Sequence, residues 1–184
     1  MRQFLHLGCG PCIHRSPTCT WVNVDIEESH NPDIAMDYLK MAERFPAASF
    51  DGCCIIHSLE HLQWPEGVQT FFRECRKVLK PGGILRIVVP DLGLIARKYV
   101  NGESLKDVYD GPYFTYKDLP ATRFLWWARG WEHSILFDEQ LLREFATDAG
   151  WQNFRVMPFG VSQLPEMCGL DRFQTESISV ECMA

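Results

Sequence analysis

The stretch from residue 50 to residue 89 constrains this chain more than any other, because it spells a strand, a helix and a second strand in succession. Residues 50–56, F-D-G-C-C-I-I, form a continuous apolar run of strand length, as in a parallel sheet covered on both faces. From residue 65 to residue 80, Val68, Phe71, Phe72, Cys75, Val78 and Leu79 fall on one helical stripe, with Arg73, Glu74, Arg76 and Lys77 opposite. Pro65 suits a helix start, and Pro81-Gly82-Gly83 ends the element. Residues 84–89 follow as another apolar strand. Such alternation implies a mostly parallel sheet with helices on both faces.

The flanking segments continue the pattern. Residues 3–7 read as a short strand that stops at Gly8-Cys9-Gly10-Pro11, and residues 21–26, W-V-N-V-D-I, alternate as a half-buried strand would. Residues 34–38 form a weaker third strand. Asp91 can cap a short helix reaching about Tyr99. Asp138 caps a later one, with Phe137 stapled against Leu142 and Gly150 as the terminator. Residues 151–157 and 176–182 read as the last two strands. At 184 residues the chain holds one domain, since a second core would leave each half marginal. Open sheets of this kind bind ligands beyond the carboxyl ends of their strands, where strand order reverses, and the glycine turn after the first strand marks that point.

Two features meet there. Glycine at Gly8 and Gly10 lets a ligand approach backbone N–H groups closely, and Asp25, ending the second strand, can accept both hydroxyls of a ribose. Taken alone, the pair is equally a turn glycine and an exposed strand-end aspartate. Glu60-His61 can be read as an acid–base pair or as residues that orient the loop after the fourth strand.

The order L-H-L-G-C-G, W-V-N-V-D-I, D-Y-L, F-P-A-A-S-F-D-G-C-C-I-I-H-S-L-E-H-L and F-R-E-C-R-K-V-L-K-P-G-G-I-L-R-I-V-V-P-D resembles the S-adenosylmethionine-dependent methyltransferases with a Rossmann-like fold. The resemblance spans residues 5–91, with residues 50–90 the most specific part. It implies an α/β sheet of about seven strands with the last antiparallel, and a single methyltransferase-like domain over residues 1–184. It also implies S-adenosylmethionine as cofactor and an unidentified methyl acceptor: a small molecule, a saccharide or a protein. By the same resemblance His6, Gly8, Cys9 and Gly10 face the methionine part, Asp25 and Ile26 the ribose side, and Asp37 and Tyr38 the adenine. His57 lines the methionine moiety or is a satisfied core histidine. The chain departs from the family at His6, where many members carry an acid, and in lacking the third glycine of the turn. Only 15 residues separate Gly10 from Asp25, which leaves little room for the usual first helix.

Three readings therefore stay open: a methyltransferase, a methyltransferase-like binding domain without chemistry, and a thiol redox protein built on Cys9-Gly10-Pro11-Cys12. The third is weakened by Pro17, which leaves almost no helix after Cys12, and no metal site is expected. Residues 101–134 carry eight aromatic side chains without a clean period and are expected to form a lid and acceptor pocket. His133 within them is either the catalytic base or a residue packing the turn. With 18 basic against 24 acidic residues and no basic stripe, nucleic acid is not an expected partner. No apolar run approaches the ~20 residues of a membrane span. The eight cysteines lie mostly in apolar segments and behave as small hydrophobes, so a reducing compartment, the cytoplasm, is expected.

Overall fold

The computed structural model describes residues 1–108 and 117–184. Among them, β1 (Gln3–Leu7), β2 (Thr20–Asp25), β3 (Ile34–Ala35), β4 (Phe50–Ile56), β5 (Leu79–Pro90), β6 (Gln152–Met157) and β7 (Ser177–Met183) form one sheet in the order β3-β2-β1-β4-β5-β7-β6. Pairing is parallel from β3 through β5, and β7 runs antiparallel to both β5 and β6. The order reverses between β1 and β4, so the turn after β1 opens onto the switch point, as expected.

Among the described residues five α-helices accompany the sheet: α1 (Met41–Arg44), α2 (Glu66–Val78), α3 (Leu92–Val100), α4 (Pro120–Arg129) and α5 (Glu139–Asp148). Helix α2 buries Val68, Phe71, Phe72, Cys75 and Val78 against Leu5, Leu7, Cys53, Ile55, Leu85 and Ile87, with α5 adding Leu142 and Phe145. Each such side chain taken from water contributes about 1.5–3 kcal/mol, which makes this face the main source of cohesion. Caps fall where the sequence puts them: Asp91 accepts from the Leu94 N–H at 3.1 Å and Asp138 from the Leu141 N–H at 2.8 Å.

Helical cover is uneven. The opposite sheet face, with Phe4, Trp21, Cys54, Ile56 and Val88, packs against Cys19, Leu164, Met167 and Leu170 from the irregular segments 8–19 and 158–176 and one 3-10 turn, Pro165–Met167. What holds the second segment is a charge. Arg86 of β5 is fully buried, donating to Asp171 at 2.6 Å and to Glu181 of β7 at 2.7 Å. Asp171 also takes the Gly160 N–H and the Ser179 hydroxyl, while Glu181 takes both the N–H and the side-chain amide of Gln163. Residues 84–89 are thus not uniformly apolar: Arg86 sits among them and is neutralised on the second face.

Two element boundaries differ from expectation. The helix ends at Val78, because Leu79 is extended and pairs with Phe50, so β5 starts before Pro81-Gly82-Gly83. β3 shrinks to Ile34–Ala35, and Asp37 lies two residues beyond it as the cap of a 3-10 turn, Tyr38–Lys40. The aromatic stretch holds a helix, α4, whose Phe124 and Trp127 pack with Ile95 of α3 and with Leu105 and Val108. Tyr109, Tyr113, Phe114 and Tyr116 lie outside the described residues.

Candidate active site

The turn after β1 is shaped by Gly8 and Gly10, both with positive φ, +59° and +53°. A Cβ at Gly8 would lie 2.0 Å from the Ser58 hydroxyl oxygen, so the residue must be glycine for β1 and the turn after β4 to close together. A Cβ at Gly10 would meet nothing within 4 Å, so its backbone is open to a ligand. Beside the turn lies a cleft of about 230 Å³, lined by His6, Gly8, Gly10 and His57 together with Arg172, which donates to Cys12 Sγ of the turn, and Phe173.

His6 is buried at the end of β1, with its ring stacked on His14 at 4.1 Å between centroids. Its Nδ1 lies 3.4 Å from the Asn23 side-chain oxygen, which also accepts the His14 N–H. Burial and the neighbouring His14 pull its pKa down to about 3, so the ring is neutral at physiological pH. A neutral imidazole carries no charge with which to repel a cation in the cleft. His14 is shifted the same way by burial and the nearby Arg172.

Asp25 ends β2 with its carboxylate turned toward the turn, accepting from the Gly10 N–H at 2.7 Å and the Glu27 N–H at 2.9 Å, with His30 Nδ1 at 3.3 Å. Burial opposes its charge, but the Glu27 and Gly10 N–H groups and His30 outweigh it and hold the carboxyl below its usual range. Ile26 next to it is 68% exposed, an apolar face left in the open. Asp37 is half-buried and uses Oδ1 to cap the Leu39 N–H at 2.9 Å. Tyr38 is buried, its hydroxyl 3.2 Å from that of Ser58 above Gly8.

At the end of β4 the chain makes a left-handed step at His57, φ +50°. The His57 Nε2 lies 2.8 Å from the Ser177 hydroxyl, its Nδ1 lies 3.4 Å from Glu60 Oε1, and Phe173 meets the ring edge-on at 4.9 Å. Glu60 is 1% exposed, and its Oε2 has no hydrogen-bond partner among the described residues. His133 comes alongside from the segment before α5: its ring is 5.3 Å from that of His61, and its Nδ1 is buried without a partner. The Glu60 carbonyl accepts the Ser134 and Ile135 N–H groups at 2.9 and 3.2 Å, which fixes this juxtaposition through the backbone. Burial lowers the His133 pKa, with the Glu60 carboxylate acting the other way.

The structure therefore brings His6, Gly8, Cys9, Gly10 and His57 to one cleft, and sets Asp25, Ile26, Asp37 and Tyr38 along the neighbouring strand ends. His133 stands on the far side of His57, reached through Glu60. Sequence reasoning missed Arg172 and Phe173, which come from an irregular connection with no periodic signal, and it missed that Glu60 would be buried. As for the thiols, burial and the Asp25 carboxylate push Cys9 up to about 11, away from the range of a reactive thiolate. All eight cysteines are free. No helix of the described residues is long and apolar enough to cross a membrane.

Comparison with known proteins agrees with this geometry. Residues 5–87 match the family model described as a methyltransferase domain. No curated protein matches the sequence. A SAM-dependent methyltransferase from Archaeoglobus fulgidus superposes with a TM-score of 0.66 at 14% identity, over 100% of this chain and 86% of that one. One from Aquifex aeolicus gives 0.58 at 15% identity, over 99% and 81%. The phosphoethanolamine N-methyltransferase 2 of Haemonchus contortus, solved with S-adenosyl-L-methionine, gives 0.56 at 16% identity, over 86% of this chain and 35% of that one. At these identities the likeness is one of fold. The fold is that of class I Rossmann-like methyltransferases, and residues 5–87 are similar to a methyltransferase domain.

Proposed function

We propose that this chain binds S-adenosylmethionine across the carboxyl ends of β1, β2 and β3 and transfers its methyl group to a small-molecule, saccharide or protein acceptor. The carrying observation is the alignment of an open glycine turn, the Asp25 carboxylate, the exposed Ile26 side chain and the half-buried Asp37 on three adjacent strand ends. The residues fit the group. Each carboxylate oxygen has two lone-pair sites, so Asp25 keeps acceptor capacity for ribose hydroxyls after its two N–H bonds. Asp37 commits Oδ1 to the Leu39 cap and offers Oδ2 to an adenine amino group. Ile26 offers an apolar surface to the ring.

The bound sulfonium supplies an electrophilic methyl carbon. The chain's own contribution is positioning, which converts an encounter in solution into a held geometry. Arg172 lines the same cleft, its guanidinium on Cys12 Sγ of the turn, suited to the carboxylate of the methionine tail, and neutral His6 tolerates its ammonium. We assign residues 101–134, of which 109–116 lie outside the described residues, as the lid over the acceptor and His133 as its base, because its buried Nδ1 has no hydrogen-bond partner among the described residues. The free cysteines suit a reducing compartment, and we place the protein in the cytoplasm.

Calorimetry with S-adenosylmethionine at millimolar concentration tests the binding. Asp25→Ala is expected to weaken it by about 1.5–3 kcal/mol, the range for hydrogen bonds to a charged group. No heat and no thermal shift with the unmodified protein would overturn the reading. Binding without formation of S-adenosylhomocysteine on any acceptor class would leave a binding domain rather than an enzyme.

A further inference from the structure

Glu60, His61 and His133 are related by more than proximity. Each offers one ligand atom, and the three atoms lie within 4.8 Å of one another. Two of the three residues also carry an otherwise unexplained atom: Glu60, 1% exposed, has a carboxylate oxygen and His133 a buried ring nitrogen without a hydrogen-bond partner among the described residues. A buried unpaired carboxylate oxygen costs free energy of the order of a few kcal/mol, so a missing cationic or donor partner is implied.

We propose that these three side chains bind a first-row divalent transition-metal ion, of which Zn²⁺ is the test case. The donor set decides the class: two imidazoles and one carboxylate suit zinc, iron or cobalt, whereas calcium and magnesium prefer oxygen alone. Such an ion holds its ligands at about 2.0–2.2 Å, so the ligand atoms need to draw together by an ångström or two. His61 is exposed and free to turn its ring for this.

The surroundings already supply the outer support that metal ligands use. His57 Nδ1 lies 3.4 Å from Glu60 Oε1, and the far side of the His57 ring is bonded to Ser177 at 2.8 Å. The His133 ring has the Trp127 backbone as a hydrogen-bond partner, which leaves Nδ1 for the ion. The backbone bonds from Ser134 and Ile135 to the Glu60 carbonyl fix the distance between the two halves of the site.

Three protein ligands leave coordination positions open, and the site is one side chain, His57, from the cleft assigned to the cofactor. The ion would take an oxygen of the acceptor in an open position and make its proton easier to lose. This role, unlike the binding itself, rests on the methyltransferase reading. Under it His133 holds the ion instead of taking the acceptor's proton.

A second cluster provides an internal control. His6, His14 and Cys54 also bring ligand atoms within 4.8 Å, but there is no carboxylate among them and His6 Nδ1 already faces Asn23.

The experiment titrates the full chain, stripped with a chelator, with Co²⁺ and then Zn²⁺, following visible cobalt bands and calorimetric stoichiometry. One ion per chain is expected, with weak, nitrogen- and oxygen-type bands. Glu60→Gln and His133→Ala should each lower affinity by about a hundredfold or more, and His57→Ala by about 10–100-fold, as for loss of an outer-shell partner. Surface His61→Ala, which poses little threat to folding, should also weaken binding, while His14→Ala should not. Asp25→Ala should leave cobalt binding intact while weakening S-adenosylhomocysteine, so failure of the cofactor reading is seen separately. The proposal is overturned if no ion binds, if sulfur-to-cobalt charge-transfer bands place it on cysteine, or if affinity is indifferent to His61→Ala and His133→Ala.

Discussion

The two faces of the sheet are built by different physics. One is covered by helices whose apolar stripe meets an apolar strand row, and Phe71, Phe72 and Leu142 are fully buried there, the buried charge of α2 being Glu74, held by Lys77 and the Ala42 N–H. The other is covered by irregular chain, and its buried side chains include Arg86, Asp171, Glu181, His6 and Asn23. A helix satisfies its own backbone and needs only apolar contact to dock. A loop does not, and residues 158–176 dock by offering the Gln163 N–H groups and the Asp171 carboxylate to Glu181 and Arg86 on the sheet. Non-directional cohesion holds one face, while directed polar bonds hold the other.

The sharpest way to break this contrast is Arg86→Met. It leaves Asp171 and Glu181 buried without their cation, and removing one partner of a buried ion pair typically costs about 3–5 kcal/mol. Urea unfolding should show that loss together with protease cleavage between residues 158 and 176. A loss below about 1 kcal/mol would mean that apolar contact alone holds the loops. On the helical face Leu142→Ala is expected to cost about 2–5 kcal/mol by leaving a cavity, without selective cleavage of that segment.

Acid should separate the faces more gently. The unfolded His6 ring takes its proton near pH 6.5, whereas the folded ring resists until about 3. Between those values the unfolded state binds more protons, so stability is complete above pH 6.5 and falls as pH drops, by about 1.4 kcal/mol per unit from this residue. His14 and His133 are shifted downward too and act with the same sign. Unfolding midpoints measured from pH 7 to pH 4 should fall for the unmodified chain and fall less steeply for His6→Asn. Equal slopes would remove His6 from the account.

The same contrast explains what the sequence could disclose. The helical face writes itself as periodicity, so β1, β4, α2 and the capped helices α3 and α5 are readable from Gln3, Phe50, Val68, Asp91 and Asp138 onward. Gly8, Gly10 and Asp25 are legible because a tight turn and a strand end demand particular residue types. Arg172, Asp171 and Glu60 are not, because nothing periodic marks a residue whose role is fixed by a partner 85 positions away, as with Arg86 and Asp171. Asp37 shows an intermediate case. Its type was readable, but its place at the head of a 3-10 turn rather than a strand end follows from bonding to Leu39, a choice local polar side chains make against extended pairing.

The passage from β1 to β2 has a bearing on which nucleotides this fold can host. Residues 8–19, all described, cross between the two strands without a helix. In dinucleotide folds a helix begins at this point, and its positive end and spare amides cradle a pyrophosphate. Here the amide of Cys9 goes to the Val24 carbonyl, that of Gly10 to Asp25 and that of Cys12 back to Cys9. A diphosphate arriving at the turn would meet the Asp25 carboxylate and amides already engaged. Under the function proposed above, the crossover discriminates by omission, disfavouring polyphosphate carriers relative to an adenosine whose tail brings its own balanced pair of charges.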